Sequence, residues 1–307
     1  MNIDSSIEKV LADTRVLEFT TITRSGLNTR PMAGAWRPER GQILLTTPPS
    51  YAQKVLNVRH DGRVALLYSD FTGSGLSGSP AVMVQGTATA PDTVVAPQDI
   101  LDYWRELFRR VPRDAEYLAD KDLQASMDWY YRRLPIYVTP DRVHSFEAVP
   151  YGGDLEPVPE EKNTSMGDQI RDALGRYPTA VLAGRDDSGH PWSARATVAE
   201  DSGAGDLRVE PVAEAPGLLG PANLLWHRHN GESGDMLSLL VVGTADESDE
   251  GYRFRPERVP GALPSGHGED SYQAWIDDGR RRSRRYLAQR GLAAPEIDWD
   301  ALIACAP

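Results

Sequence analysis

Short runs rich in Val, Ile, Leu, Phe and Thr, fenced by Gly, Ser, Pro and Asp, dominate residues 15–89. Such residues favour a pleated, half-buried surface, and residues 15–24 open the series as an expected strand. Arg24-Ser25-Gly26 marks a turn, so a hairpin is expected with the next run, 29–36. Further strands are expected over 42–47, 63–69 and 81–89. Turn residues at these short intervals set the rhythm of an all-β barrel or sandwich. Two short helices interrupt it, one over 7–12 and one over 51–59 with Val55 and Val58 facing inward.

The apolar period then changes. Ile100, Leu101, Trp104, Leu107 and Phe108 recur at three-and-four spacing and predict a helix over 97–108. Leu123, Met127, Tyr130 and Tyr131 predict a second over 121–134, after which Pro135 opens a closing strand, 136–146. Residues 150–165 carry Pro, Gly and Glu without periodicity and read as a linker. Beyond it, 166–250 loosely repeats 1–90. Gly86-Thr87-Ala88 returns as Gly243-Thr244-Ala245, and Arg24-Ser25-Gly26 as Asp187-Ser188-Gly189. Thr139-Pro140-Asp141-Arg142-Val143 is echoed by Arg255-Pro256-Glu257-Arg258-Val259. The expected organisation is a barrel over 1–149 with a helical insertion at 97–134, a linker, and a degenerate second barrel over 166–307. The second barrel has polar hairpin loops at 200–205 and 246–251 and ends on a helix over 271–289.

Charge and composition narrow the classes. A net charge of −12 over 307 residues opposes general nucleic-acid affinity, which needs a basic face. No run approaches the roughly 20 apolar residues of a membrane span. Met1-Asn2-Ile3-Asp4 lacks the basic start of a secretion signal, so a soluble cytoplasmic protein is expected. Cys305 is the sole cysteine, which excludes intrachain disulfides and thiolate metal clusters.

Several local patterns invite chemistry and fail its requirements. Gly73-Ser74-Gly75-Leu76-Ser77-Gly78 has dinucleotide-loop spacing, but Pro80 and a strand follow it instead of a helix. His227 and His229 share one strand face; with no third ligand at diagnostic spacing they are expected as surface or interface residues. No metal site is expected. The basic run 280–285 reads as a solvated helix end or a contact with the acidic body. No nucleophile–base grouping stands out, so no catalytic side chain is assigned and a cofactor would carry any chemistry. The constellation that remains is Arg30, Thr46-Thr47 and Gln53-Lys54. A guanidinium, two hydroxyls, an ammonium and free helix amides suit a monophosphate clamp; the alternative is strand-edge polarity beside a solvated lysine.

At these residues the chain resembles the pyridoxamine 5′-phosphate oxidase-like group of flavin-binding split β-barrels. The similar stretch runs from about residue 10 to 146. It includes Asn28-Thr29-Arg30-Pro31-Met32, Ile43-Leu44-Leu45-Thr46-Thr47, Gln53-Lys54, Asp61-Gly62-Arg63-Val64 and Val82-Met83-Val84-Gln85-Gly86. The resemblance implies a mainly β (α+β) fold: two tandem split β-barrels of the FMN-binding type with peripheral helices. It implies FMN as cofactor, with Arg30 and Lys54 on the phosphate and Thr46 and Thr47 on phosphate or ribityl oxygens. Gln53 would complete the cradle, and main chain from Met32 to Ala35 would line the ring.

Members of the family it resembles are commonly homodimers, with FMN between two barrels. Here the second barrel, as a pseudo-dimer, or a second chain would supply the opposing wall. Trp36, Tyr68, Trp129, Tyr130 and Tyr131 are candidates for stacking on the ring or for core packing. The oxidase proper has a lysine where this chain has Ala35, a glutamine at Ala81, and a C-terminal Arg-x-His that is lacking here. The resemblance therefore implies an FMN-dependent oxidoreductase acting on a small organic substrate, not a true pyridoxamine 5′-phosphate oxidase. The alternatives are a non-catalytic sensor or carrier, or a deazaflavin-dependent reductase; the latter would want a basic groove wider than Arg30, Lys54 and Arg59. The second copy has no lysine after Arg185 and no Thr-Thr pair, so it is not expected to hold flavin phosphate in the same way.

Overall fold

The computed structural model describes residues 3–152, 165–201, 205–213, 217–218, 220–232, 237–249, 251–260 and 269–307. In chain order the elements begin with α1 (Ser5–Asp13), β1 (Val16–Thr23), β2 (Gly26–Met32), β3 (Gly34–Arg37), β4 (Gln42–Thr47) and α2 (Gln53–His60). They continue with β5 (Arg63–Asp70), β6 (Ala81–Thr89), α3 (Leu101–Arg110), α4 (Lys121–Tyr131), β7 (Leu134–Phe146) and α5 (Met166–Arg176). Six strands follow: β8 (Ala180–Arg185), β9 (Pro191–Glu200), β10 (Leu207–Pro211), β11 (Gly220–Arg228), β12 (Leu237–Ser248) and β13 (Gly251–Arg258). The chain closes on α6 (Glu269–Arg290) and α7 (Trp299–Ile303). Among the described residues no helix is long and apolar enough to cross a membrane.

These elements group into two compact units. Unit 1 is Met1–Met32, Arg63–Thr87 and Pro140–Leu263; unit 2 is Ala33–Gly62, Ala88–Thr139 and Pro264–Pro307. The fold is mainly β with peripheral helices, as expected.

Unit 1 holds a closed six-stranded barrel in the order β10-β13-β12-β11-β8-β9, together with antiparallel strands in the order β2-β1-β5-β6. The hairpin expected at Ser25-Gly26 is present, with Thr23 opposite Gly26. Pro31 lies in β2, at the edge of its sheet, where a missing N–H breaks no ladder. The barrel core gathers Leu182, Ala194, Leu224, Trp226, Leu240 and Phe254. Fully burying each large apolar side chain of this kind is worth about 1.5–3 kcal/mol. The Gly73–Gly78 loop precedes β6 and opens no helix. The loop expected over 246–251 is tighter than its polarity suggests, since Asp246 and Glu247 are strand residues opposite Arg253 and Tyr252. Gly251 makes that turn with φ 111°, and a Cβ there would stand 2.6 Å from the Val209 carbonyl oxygen.

Unit 2 contains antiparallel strands in the order β7-β4-β3 with α2, α3, α4, α6 and α7. The single strand expected over 29–36 is two strands: β2 pairs with β1, and β3 pairs with β4. The break at Ala33 is also the unit boundary. The α3 periodicity is realised as a buried face of Tyr103, Trp104, Leu107 and Phe108. These pack with Leu44, Met127, Tyr131, Ile276 and Leu302 in one core. In α6, Gly279 stands against the Trp129 ring so closely that a Cβ would be 2.5 Å from its carbons.

Candidate functional site

The expected cofactor residues fall in both units and are described separately. In unit 2, β4 ends at Thr46 and Thr47, both buried. Pro48 and Pro49 then stop the strand and force a single 3-10 turn, Pro49–Tyr51, before α2 begins at Gln53. Thr46, Thr47, Gln53 and Lys54 thus come together on one strand–turn–helix segment. Thr47 Oγ1 donates to the Tyr51 carbonyl oxygen at 3.2 Å and shapes the turn. Among the described residues neither Thr46 Oγ1 nor Ser50 Oγ, both buried, has a hydrogen-bond partner. Gln53 is exposed and its amide nitrogen donates to Asn57 Oδ1 at 2.9 Å. Lys54 is half-buried on the first turn. The helix is preceded by Ala52, so no side chain caps its first amides.

Helix α6 packs directly on the 49–51 turn. Trp275 Nε1 donates to Tyr51 Oη at 2.9 Å. Burial raises the Tyr51 pKa, opposed by that hydrogen bond and by the nearby Arg282 charge. Arg59 does not offer its charge to a groove: it donates to the Ala90 carbonyl oxygen at 2.8 Å and Tyr286 Oη at 3.2 Å, and pairs with Asp92 at 2.9 Å. Of the aromatic candidates, Trp129 and Tyr131 are core residues, as is Tyr68 in unit 1, while Trp36 and Tyr130 are half-buried. The Arg133 guanidinium lies 4.1 Å from the Tyr130 ring centroid and 4.8 Å from that of Trp104. Nearby, burial lifts the Asp114 carboxyl to about 6 against the charges of Arg133 and Arg113.

In unit 1, Arg30 is partly buried on β2, and its Nη2 donates to the Pro260 carbonyl oxygen at 3.3 Å. Burial lowers its pKa. Met32 is buried at the end of the same strand.

Unit 1 also holds a buried charged cluster that joins His227 and His229 to Glu18, Asp70 and Arg195, residues with no motif in the sequence. Glu18 Oε1 accepts from Ser69 Oγ at 2.8 Å and Arg195 Nη2 at 3.0 Å, and meets His227 Nε2 at 2.8 Å. Arg195 Nε donates to Ser69 Oγ at 2.9 Å. Glu18, Arg195 and His227 are all at most 2% exposed. Beside them His229 Nε2 faces Asp70 Oδ1 at 3.3 Å, while the Gly231 amide donates to His229 Nδ1 at 3.1 Å. That amide occupies Nδ1 and leaves Nε2 to face the Asp70 carboxylate. Burial raises the Asp70 pKa, but His229, His227 and Thr72 outweigh it and hold the carboxyl well below the usual range. Both histidines are therefore buried carboxylate partners rather than surface residues. The available signal was a lone charge in an otherwise apolar or small-residue strand run, Val16-Leu17-Glu18-Phe19 and Ala194-Arg195-Ala196.

Among the described residues no group of three or more His, Cys, Asp or Glu is arranged to hold a metal ion. The basic run sits inside α6, where Arg281 and Arg282 both pair with Asp278 and Arg280 meets Asp128 at 4.0 Å.

No protein-family model matches the chain. No curated protein matches it either. Solved structures similar to parts of it include a FAD-binding protein from Mesorhizobium loti, 17% identical, covering 46% of this chain and 90% of that one with a TM-score of 0.32. A putative pyridoxamine 5′-phosphate oxidase from Listeria innocua is 17% identical over 45% of this chain and 94% of that one, TM-score 0.29. A haem storage protein from Vibrio cholerae is 10% identical over 48% and 98%, TM-score 0.33. Likeness of this degree does not speak to chemistry, which is read from the chain's own side chains.

Proposed function

We propose that the β4–turn–α2 segment of unit 2 binds the phosphate of a flavin mononucleotide, and that the protein is an FMN-dependent oxidoreductase for a small organic substrate. The observation that carries this reading is the pair of buried hydroxyls, Thr46 and Ser50, left without partners beside a helix start that no side chain caps. A buried hydroxyl without a partner costs about 1–3 kcal/mol, so these two fit a site completed from outside. A dianionic phosphate supplies the acceptor oxygens they lack, and the first amides of α2 with Lys54 supply the compensating charge. When bound, the flavin ring would accept or donate a hydride; the protein's part is to grip and orient it.

Arg30 and Met32, which the resemblance also implies for the cofactor, belong to unit 1 and stand apart from this proposal. The resemblance supports reading the chain as a tandem pair of barrels, a pseudo-dimer in itself. The non-catalytic carrier and the deazaflavin enzyme are the rival outcomes of the test. Chromophore released from purified protein should be yellow and identify as FMN, and FMN should bind at least about tenfold more tightly than riboflavin, the difference of one or two charge-assisted hydrogen bonds. Thr46→Val with Lys54→Ala should abolish that preference. Equal affinity for the two flavins would overturn the reading.

A further inference from the structure

Three hydroxyls in unit 2 are buried without a hydrogen-bond partner among the described residues: Thr46, Ser50 and Ser283. The first two belong to the proposed phosphate segment. The third lies far away in sequence, on α6, yet α6 packs on the very turn that carries Ser50. Helix periodicity places Ile276, Gly279, Ser283 and Tyr286 on the buried face. A serine in a helix commonly satisfies its hydroxyl on the carbonyl four residues earlier; Ser283 does not, and it is only 5% exposed.

The neighbouring residue is cationic. Arg282, itself exposed, is held by Asp278 at 2.6 Å, and its charge acts on the Tyr51 phenol. Arg281 shares the same carboxylate, so two guanidinium groups face one acid and a positive surplus remains. Asp277, also on α6, accepts from the Gln273 amide at 3.2 Å, and Arg284 and Arg285 continue the helix exposed. The helix is anchored along its length: Trp275 to Tyr51, Tyr286 to Arg59, and Arg290 to Asp92 at 3.0 Å.

We propose that α6 forms the second wall of the anion site, with Ser283 donating a hydrogen bond to a phosphate monoester and Arg282 supplying its counter-charge. This rests on the phosphate reading above and extends it to the C-terminal helix. The ligand's phosphate is gripped from two sides: by Thr46, Ser50 and the start of α2, and by α6.

The test is a fluorescence titration of the full chain with FMN and with riboflavin, plus competition by inorganic phosphate. Ser283→Ala and Arg282→Ala should each weaken FMN at least about tenfold, the usual worth of a hydrogen bond to a charged group. Riboflavin affinity should not change in either. Arg284→Ala, exposed on the same helix, should leave FMN within about twofold, the scale of a screened surface charge. Thermal melts of each variant check folding, and Ser283→Ala removes one oxygen only. If both α6 variants bind FMN like the parent while Thr46→Val does not, α6 is no part of the site and the phosphate reading stands. If the parent itself binds FMN and riboflavin alike, and inorganic phosphate does not compete, both fall together.

Discussion

Glu18 in unit 1 and Thr46 in unit 2 are both polar side chains buried on apolar strands, and their surroundings treat them in opposite ways. Oε1 of Glu18 meets a serine, an arginine and a histidine, all from within its unit. Thr46 Oγ1 meets no donor or acceptor among the described residues. The carboxylates repeat the contrast: Asp70 is held below its usual pKa by His229 and its neighbours, whereas burial wins at Asp114 and raises it. A buried polar group whose partners are internal belongs to the architecture. One left open beside an uncapped helix start fits a ligand, because the cost of leaving it alone is recovered on binding; Glu18 Oε2 and Asp70 Oδ2, open too, lie among buried ions instead. Unit 2 also packs aromatic rings closely, Trp129 and Trp275 lying 5.0 Å apart.

The sharpest way to break this comparison is Glu18→Gln. It leaves Arg195 without a formal counter-charge in the interior, so unfolding by denaturant should show a loss of about 3–5 kcal/mol. A loss under about 1 kcal/mol, the worth of a surface pair, would remove the distinction between the two environments. Asp114 gives the next effect. Its folded pKa of about 6 exceeds the unfolded value, so the folded state binds more protons between those two pKa values. Stability from this group is therefore full at low pH and falls as pH rises from about 4 to 6, by about 3 kcal/mol for a two-unit displacement. Asp114→Asn should flatten that decline in a series of pH-dependent melts. Asp70 has the opposite sign: its contribution is present above the unfolded carboxylate pKa and is lost on acidification below it. Gly279→Ala should cost about 1–3 kcal/mol through its clash with Trp129, read as a lower melting temperature. The smallest effect is the most diagnostic. Thr46→Val should raise the stability of the ligand-free protein by about 1 kcal/mol, because it removes a buried hydroxyl that has no partner among the described residues, whereas Ser69→Ala should cost about 1–3 kcal/mol.

Much of the scaffold was legible locally. The runs 42–47 and 81–89 match β4 and β6 because Gly41, Pro48 and Pro80 fence them. The run 29–36 was not, since side-chain alternation is blind to a strand that exchanges one partner for another at Ala33. Thr46, Thr47, Gln53 and Lys54 were readable together because they are nearly contiguous. Ser50 and Ser283 were missed, as a lone hydroxyl leaves no periodic trace. Glu18 and Arg195 lie 177 positions apart, and only tertiary structure shows that each answers the other.

The interleaving of the two units bears on how the chain is made. Residues 33–62 leave the ribosome long before residues 264–307, which complete the same unit. Until then Tyr51 and Trp129 wait without Trp275 and Gly279, a stretch of exposed aromatic surface that chaperones would have to shield during synthesis. A premature stop ahead of α6 would therefore strip one wall from unit 2 while leaving every strand of the unit 1 barrel translated.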